Sequence, residues 1–407
     1  MPKKSSLIYE PEQTTEHSKK QRKVVKMPKP KNPSQSEIAR KLQIKKIDLA
    51  TLVIILVLTV VGLIALFSAS YPIGLYKHND PLKFIRNQTV FAVMGISAML
   101  FISIIDYHIY GRFYKWIYLF GVGLLALVLL IGIEHNKATR WLAIPFVGEF
   151  QPSEITKVAL IIAFSYYAAK MGDKIRTYRG LLPFIGAFAV VAGFLALQPH
   201  MSAIVIMFII SLSILFVAGI KIWYFFPIGI AGIGAFAVAY QMPIFNHVRE
   251  RIAVWLDPFI DLLGTGYQAA NSFVAIGSGG FWGLGLGQGR HKQLYLPEAP
   301  NDFIFSAWCE EMGFVGAVIL MILFAYLIYR GYVIAKNAKD KFGCLIAVGI
   351  TTQFAVQTLM NLFVVTGVMP VTGASLPLFS YGGTALIIQF CELGILLNIS
   401  RTMTHKN

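Results

Sequence analysis

A bundle of about ten membrane-spanning helices is the fold class this sequence predicts. It is all-α and polytopic, with both termini cytoplasmic and one long ordered extracytoplasmic loop. Three observations predict it. Hydrophobic residues make up 56% of the 407 and charged residues 14%, against roughly 45–50% and 25% in soluble domains. The apolar residues fall into runs of about 20, the length a helix needs to cross the hydrocarbon layer. The basic residues are shared unequally between alternate loops, as the positive-inside rule requires.

The elements follow in order. Residues 1–46 hold thirteen of the 36 Lys/Arg, Lys3, Lys4, Lys19 and Arg22 among them. This stretch is polar and lacks hydrophobic periodicity, so it is expected to be a disordered basic cytoplasmic tail. Its charge reads as a topology signal and a contact for anionic lipid heads, not as a nucleic-acid interface. No apolar run follows the initial Met closely, so no cleavable signal peptide is expected. Ten spans are predicted near residues 48–70, 86–105, 115–133, 152–170, 181–199, 201–220, 222–241, 304–329, 342–367 and 379–400. The charge-free stretch from Phe342 to Cys391 is too long for one helix. Met369-Pro370-Val371-Thr372-Gly373 divides it. This map leaves 26 Lys/Arg on the cytoplasmic side and nine outside, with Lys157 inside a span. An odd number of spans would destroy that bias.

The outside loop at 242–302 is long for a connection without structure of its own. It carries Trp255, Tyr267, Phe281, Trp282 and Tyr295 among many glycines, so it is expected to be ordered and functional.

Several residues could carry chemistry. Charges within apolar helices cost about 2.5–3.5 kcal/mol on insertion scales and need partners. Glu154 and Lys157 share a helix face and are either a structural ion pair or part of a groove for a charged head group. Arg140 and Trp141 precede them. His200, after Gln198-Pro199, suits a hairpin hydrogen bond better than catalysis. Of Glu310 and Glu311, one is expected to meet an interior cation and the other the interface; Glu392 is expected to be structural. Gly283-Leu284-Gly285-Leu286-Gly287 lacks GxGxxG spacing and a βαβ unit, which excludes a nucleotide loop. It is either flexible backbone offering amides to an anionic lipid head, with Arg290 and Lys292 beside it, or simple loop. Asp302 stands where the long loop enters a helix. It is either the helix N-cap or a base for a hydroxyl within reach. Cys309, Cys344 and Cys391 read as buried thiols, and the eight histidines lack metal-ligand spacing.

The motifs in sequence carry a resemblance. Arg140-Trp141 with Phe150-Gln151-Pro152-Ser153-Glu154-Ile155-Thr156-Lys157 is one block. Gly266-Tyr267-Gln268, Ser272, Ser278-Gly279-Gly280, Tyr295-Leu296-Pro297-Glu298, Asp302-Phe303-Ile304-Phe305 and Glu310-Glu311-Met312-Gly313 form a second. Met369 to Gly373 and Leu376-Pro377-Leu378-Phe379-Ser380-Tyr381-Gly382-Gly383 form a third. Together they resemble the SEDS family (FtsW, RodA and SpoVE) over residues 47–402. The long basic tail and Pro297-Glu298-Ala299-Pro300 lean toward the FtsW-like side.

The resemblance implies a peptidoglycan glycosyltransferase that polymerises lipid II with inversion, releasing polyprenyl diphosphate, during cell division or cell-shape maintenance. It implies a multi-pass protein of the bacterial cytoplasmic membrane with its site on the extracytoplasmic face. The implied partners are lipid II, a class B penicillin-binding protein transpeptidase, divisome or elongasome proteins and membrane lipids. Asp302 would be the catalytic base. Arg140, Glu154, Lys157, Arg251, Gln268, Ser272, Lys292, Glu298 and Ser380 would bind substrate. No cofactor is required, although Mg or Mn could serve the diphosphate. Two departures stand out: Pro300-Asn301 replaces a frequent His-Thr, and Gln198-Pro199-His200 replaces a frequent Gln-Pro-Asp, removing a carboxylate. A lipid II flippase needs charges in mid-span but no chemistry at Asp302. A non-catalytic scaffold for the transpeptidase predicts a silent Asp302→Ala.

Overall fold

A computed structural model describes residues 46–135, 138–144, 148–241, 246–259, 264 and 266–403. The expected tail lies outside these residues except at Lys46. Thirteen helices follow. They are α1 (Leu49–His78), α2 (Lys83–Ile102), α3 (His108–Arg112), α4 (Tyr114–Ile131), α5 (Pro152–Met171), α6 (Tyr178–Leu197), α7 (Met201–Ala218), α8 (Phe225–Gln241), α9 (Asn246–Leu256), α10 (Tyr267–Ser278), α11 (Ile304–Lys336), α12 (Lys341–Val365) and α13 (Gly383–Ser400).

Eight of them are long and apolar enough to cross a membrane: α1, α2, α4, α6, α7, α11, α12 and α13. Helices α5 and α8 occupy the other two predicted positions. The first carries Glu154, Lys157 and Lys170, and the second has only 17 residues. The predicted break between spans nine and ten is present, since α12 ends at Val365 and α13 starts at Gly383.

The bundle centre is α12, which packs against α5, α7 and α11. In its most apolar window 83% of residues are buried, against 17% for α4. This explains why it carries no charge beyond Lys341 at its first position. A helix enclosed by protein cannot hydrate a charge, but it can hold amides such as Gln353 and Asn361, both wholly buried.

One feature departs from the all-helical expectation, and another gives the long loop its order. The connection after α4 folds into a small antiparallel sheet of β1 (Ile133–His135), β2 (Ala138–Ile144) and β3 (Gly148–Phe150), in the order β1-β2-β3. Leu142 pairs with Phe150, and both side chains are buried with Val128. That small apolar cluster anchors the sheet and with it Arg140. The long loop, in turn, contains α9 and α10. The latter buries Ala269, Ala270, Ser272 and Ala275 on one helical face, a period-3.6 signal too short to read as a span.

Helix α11 is broken at Gly313, whose φ is 63° and ψ −165°. The residues around the Gly-rich segment mend the break. The amides of Leu284 and Gly285 donate to the carbonyls of Glu310 and Glu311 (3.0 and 2.9 Å), and the amides of Phe314 and Val315 donate to the carbonyls of Gly280 and Phe281 (2.9 and 3.2 Å). Orphan backbone groups of both half-helices are thereby paired away from water. Gly283 has φ 83°, and a Cβ there would collide with the carbonyl of Glu311. The amides at 284 and 285 therefore serve α11, not an anionic lipid head.

Candidate functional site

The site is built on the segment between α12 and α13. Three consecutive carbonyls at the loop–helix junction are each held from that side. The amide of Tyr381 donates to Pro300 O at 2.8 Å, Ser380 Oγ to Asn301 O at 2.7 Å, and Asn361 Nδ2 to Asp302 O at 2.7 Å. Ser380 Oγ also accepts from the amide of Leu376. Gln88 of α2 donates to the carbonyl of Ser380 and accepts from the amide of Gly382. On the other side, the Glu298 carbonyl accepts from the amides of Asn301 and Phe303. Glu298 itself has a φ of 58°.

This leaves the Asp302 side chain uncommitted. Phe303 is the N-cap of α11, with no side-chain cap. Among the described residues the Asp302 carboxylate accepts no hydrogen bond and is only partly buried. A Cβ on Gly373 would lie 3.4 Å from its Oδ2, so the carboxylate faces bare backbone of the Met369–Gly373 run. The N-cap alternative is therefore set aside on geometry.

Its charged neighbours are Glu298, Arg251 and Arg140. Burial pushes the Asp302 carboxyl up to about 6. Glu298 adds to the rise, while Arg251 and Arg140 oppose it. Arg140, on β2, is lowered to about 10 by burial, with Arg251 adding to the effect and Asp302 offsetting it. Its guanidinium donates to the carbonyls of Gln198 and Pro199. Arg251, exposed on α9, donates to Val371 O at 3.0 Å. Trp255, one turn on, donates to Gly367 O at 2.8 Å. Both arginines are thus aimed by backbone carbonyls.

The remaining sequence-predicted residues lie elsewhere. Lys292 is buried and pairs with Glu311 at 2.5 Å, and it also donates to Ser68 Oγ of α1 at 2.7 Å. Of the two glutamates Glu311 is thus the one that meets an interior cation, while the other, Glu310, does not reach the interface: it is buried, accepts from the amide of Arg290 and lies 2.9 Å from His291 Nδ1. Ser272 is buried, bonded to Ser306 and to the carbonyl of Val365, so it staples α10 to α11 and α12. Gln268 is half-buried in the first turn of α10. Glu154 and Lys157 pair at 2.9 Å, both side chains almost fully buried. That is the ion-pair alternative, closed on itself. Glu392 is bound by Gln353. His200 is buried, and burial together with Arg140 and Lys157 drives its pKa well below the usual value, keeping it neutral.

Sequence spacing does not single out Asn361 and Gln88; a polar amide inside an apolar run is the signal that marks them. Trp255, one of the aromatics of the long loop, is tied to the segment after α12. Among the described residues no three Asp, Glu, His or Cys side chains converge as a metal site.

A helical, multi-pass membrane protein is defined here, with an uncapped carboxylate and two loop-borne arginines over a mended helix. The chain belongs to the FtsW, RodA and SpoVE family, described as "Cell cycle protein", whose model matches residues 49–405. It is 36% identical over 364 residues to the probable peptidoglycan glycosyltransferase FtsW of Geobacter sp. (strain M18), covering 88% of this chain and 97% of that one. It is 38% identical over 362 residues to stage V sporulation protein E of Bacillus subtilis (strain 168), covering 87% and 97%. Among solved structures it resembles a chain from work on structural coordination of polymerization and crosslinking by a peptidoglycan synthase complex. There the TM-score is 0.71 at 28% identity, over 87% of this chain and 98% of that chain. The crystal structure of the rod shape determining protein RodA of Thermus thermophilus gives a TM-score of 0.65 at 25% identity, over 89% and 98%.

Proposed function

We propose that this protein is a peptidoglycan glycosyltransferase in which Asp302 is the general base for joining lipid II units. Family membership and the names of its relatives support the activity. The observation that supports the role of Asp302 is its carboxylate, free of hydrogen bonds and flanked by Arg140 and Arg251.

The reaction follows from these groups. Asp302 takes the proton from the acceptor sugar's 4-hydroxyl, a step typically worth ~10²–10⁴-fold. The oxygen forms a bond to C1 of the donor sugar, and the C1–O bond to the diphosphate breaks with inversion. The leaving polyprenyl diphosphate carries away the electron pair. Arg140 and Arg251, held at fixed carbonyls, stabilise its developing charge. Diphosphate is a good leaving group, so one carboxylate suffices, unlike the paired acids of glycoside hydrolases. Glu298 keeps Asp302 basic and shares its side of the site. Magnesium or manganese, if used, would be held by Glu298 and the substrate's own phosphate oxygens and would neutralise diphosphate charge, leaving the Asp302 carboxylate free to take the proton. The positive-inside bias favours placing the site on the extracytoplasmic face with both termini cytoplasmic. A class B penicillin-binding protein is the proposed partner, acting with divisome or elongasome proteins.

Purified protein in liposomes carrying lipid II tests this. The wild type should form glycan strands and Asp302→Ala should form none, while its melting temperature is retained. Lipid movement without strands would favour a flippase, and strands from the alanine variant would overturn the assignment of the base.

A further inference from the structure

We infer that Asn361 is a positioning residue for Asp302, acting through the backbone of the loop–helix junction. The inference rests on the functional reading above. Asn361 lies in α12, the most enclosed helix, and is wholly buried. Its Nδ2 spends both hydrogens on carbonyls that belong to different segments: Asp302 O at 2.7 Å and Ala374 O at 2.8 Å. Its Oδ1 is buried without a partner among the described residues. The amide orientation follows, because the oxygen facing two carbonyls would be repelled. One side chain therefore ties the carbonyl of the reactive aspartate to the residue next to Gly373, the glycine its carboxylate faces.

The physical argument is one of register. Pro300, Asn301 and Asp302 have no helix or strand to fix them. Their three carbonyls are held by Tyr381, Ser380 and Asn361 in turn. Only the last bond acts on Asp302 itself. The first is a backbone bond that no side-chain truncation removes, and the second is a hydroxyl that also accepts from the amide of Leu376. Releasing Asp302 O would let the peptide rotate and carry the carboxylate away from Gly373 into water. A displacement of about 1 Å is enough to cost ~10²-fold in rate.

The test is steady-state strand synthesis from lipid II by the full-length protein in nanodiscs. Asn361→Leu removes the donor at similar volume. It should lower kcat at least tenfold with KM within twofold. The acid limb of its kcat–pH profile should move to lower pH, because a better-hydrated carboxylate holds its proton less tightly. A purely structural role would reduce the fraction of folded protein and leave the limb in place. Should Asn361→Leu not fold, Ser380→Ala and Ser380→Thr make the same test one carbonyl earlier. The alanine variant should lose kcat and shift the limb, and the threonine variant should restore both. Wild-type kcat and an unmoved limb in the variant that folds would overturn the inference. An active Asp302→Ala would instead bring down the reading on which it rests.

Discussion

Asp302 shows how a reactive side chain is made by what is withheld from it. It stands one residue ahead of a helix N-cap yet caps nothing, and its carboxyl rises to about 6 because burial and Glu298 outweigh the two arginines. The base works only when deprotonated, so turnover should fall as pH drops through about 6, which initial rates between pH 5 and 8 will show. The same shift acts on stability with a definite sign. A carboxyl whose folded-state value lies above its unfolded one carries a cost that is fully present above about pH 6 and vanishes below about pH 4. Asp302→Asn should therefore raise stability at pH 7.5 by about 1–2 kcal/mol, discounted for the partial exposure of the group, and leave it unchanged at pH 4. Thermal melts at the two pH values check this. The position of Asp302 was legible from its loop–helix setting. Its partners were only half legible: Arg140 and Arg251 stood out as cations in outside loops, but so did Lys292. Sequence spacing does not reveal that Lys292 turns inward to Glu311 and Ser68.

At the scale of elements, α11 and its neighbouring loop are one unit. Ten spans could be counted from hydropathy because length and apolarity are local properties. The mending of the helix break could not, since the partner backbone lies some thirty residues away in sequence and the glycines signal only that something comes close. Two consequences are measurable. Gly283→Ala adds a Cβ against the carbonyl of Glu311 at a φ of 83°, and should sharply lower the yield of folded protein in detergent. Replacing Lys292 with Met leaves Glu311 as an uncompensated buried charge, a change worth about 3–5 kcal/mol. The double variant Lys292→Met with Glu311→Leu should recover most of that loss in a thermal melt, as a double-mutant cycle.

For the whole molecule, enclosure runs from α12 outward to α4, whose surface is largely left to lipid. The polar amides sit where enclosure is greatest. The α1 N-cap Asp48 is clasped by Arg330, and its amide donates to Ser400 Oγ at 3.0 Å. Three helix ends therefore converge at the face that the charge bias assigns to the cytoplasm. The topology is tested by single cysteines in a background lacking Cys309, Cys344 and Cys391. A membrane-impermeant maleimide should label Glu298→Cys in intact cells, and Arg176→Cys only after permeabilisation.

The mended break has a bearing on stiffness. Four backbone bonds and the Lys292–Glu311–Ser68 triangle rivet residues 280–292 to the bundle. A segment fastened so is stitched to both halves of α11 and travels with them as one stiff piece.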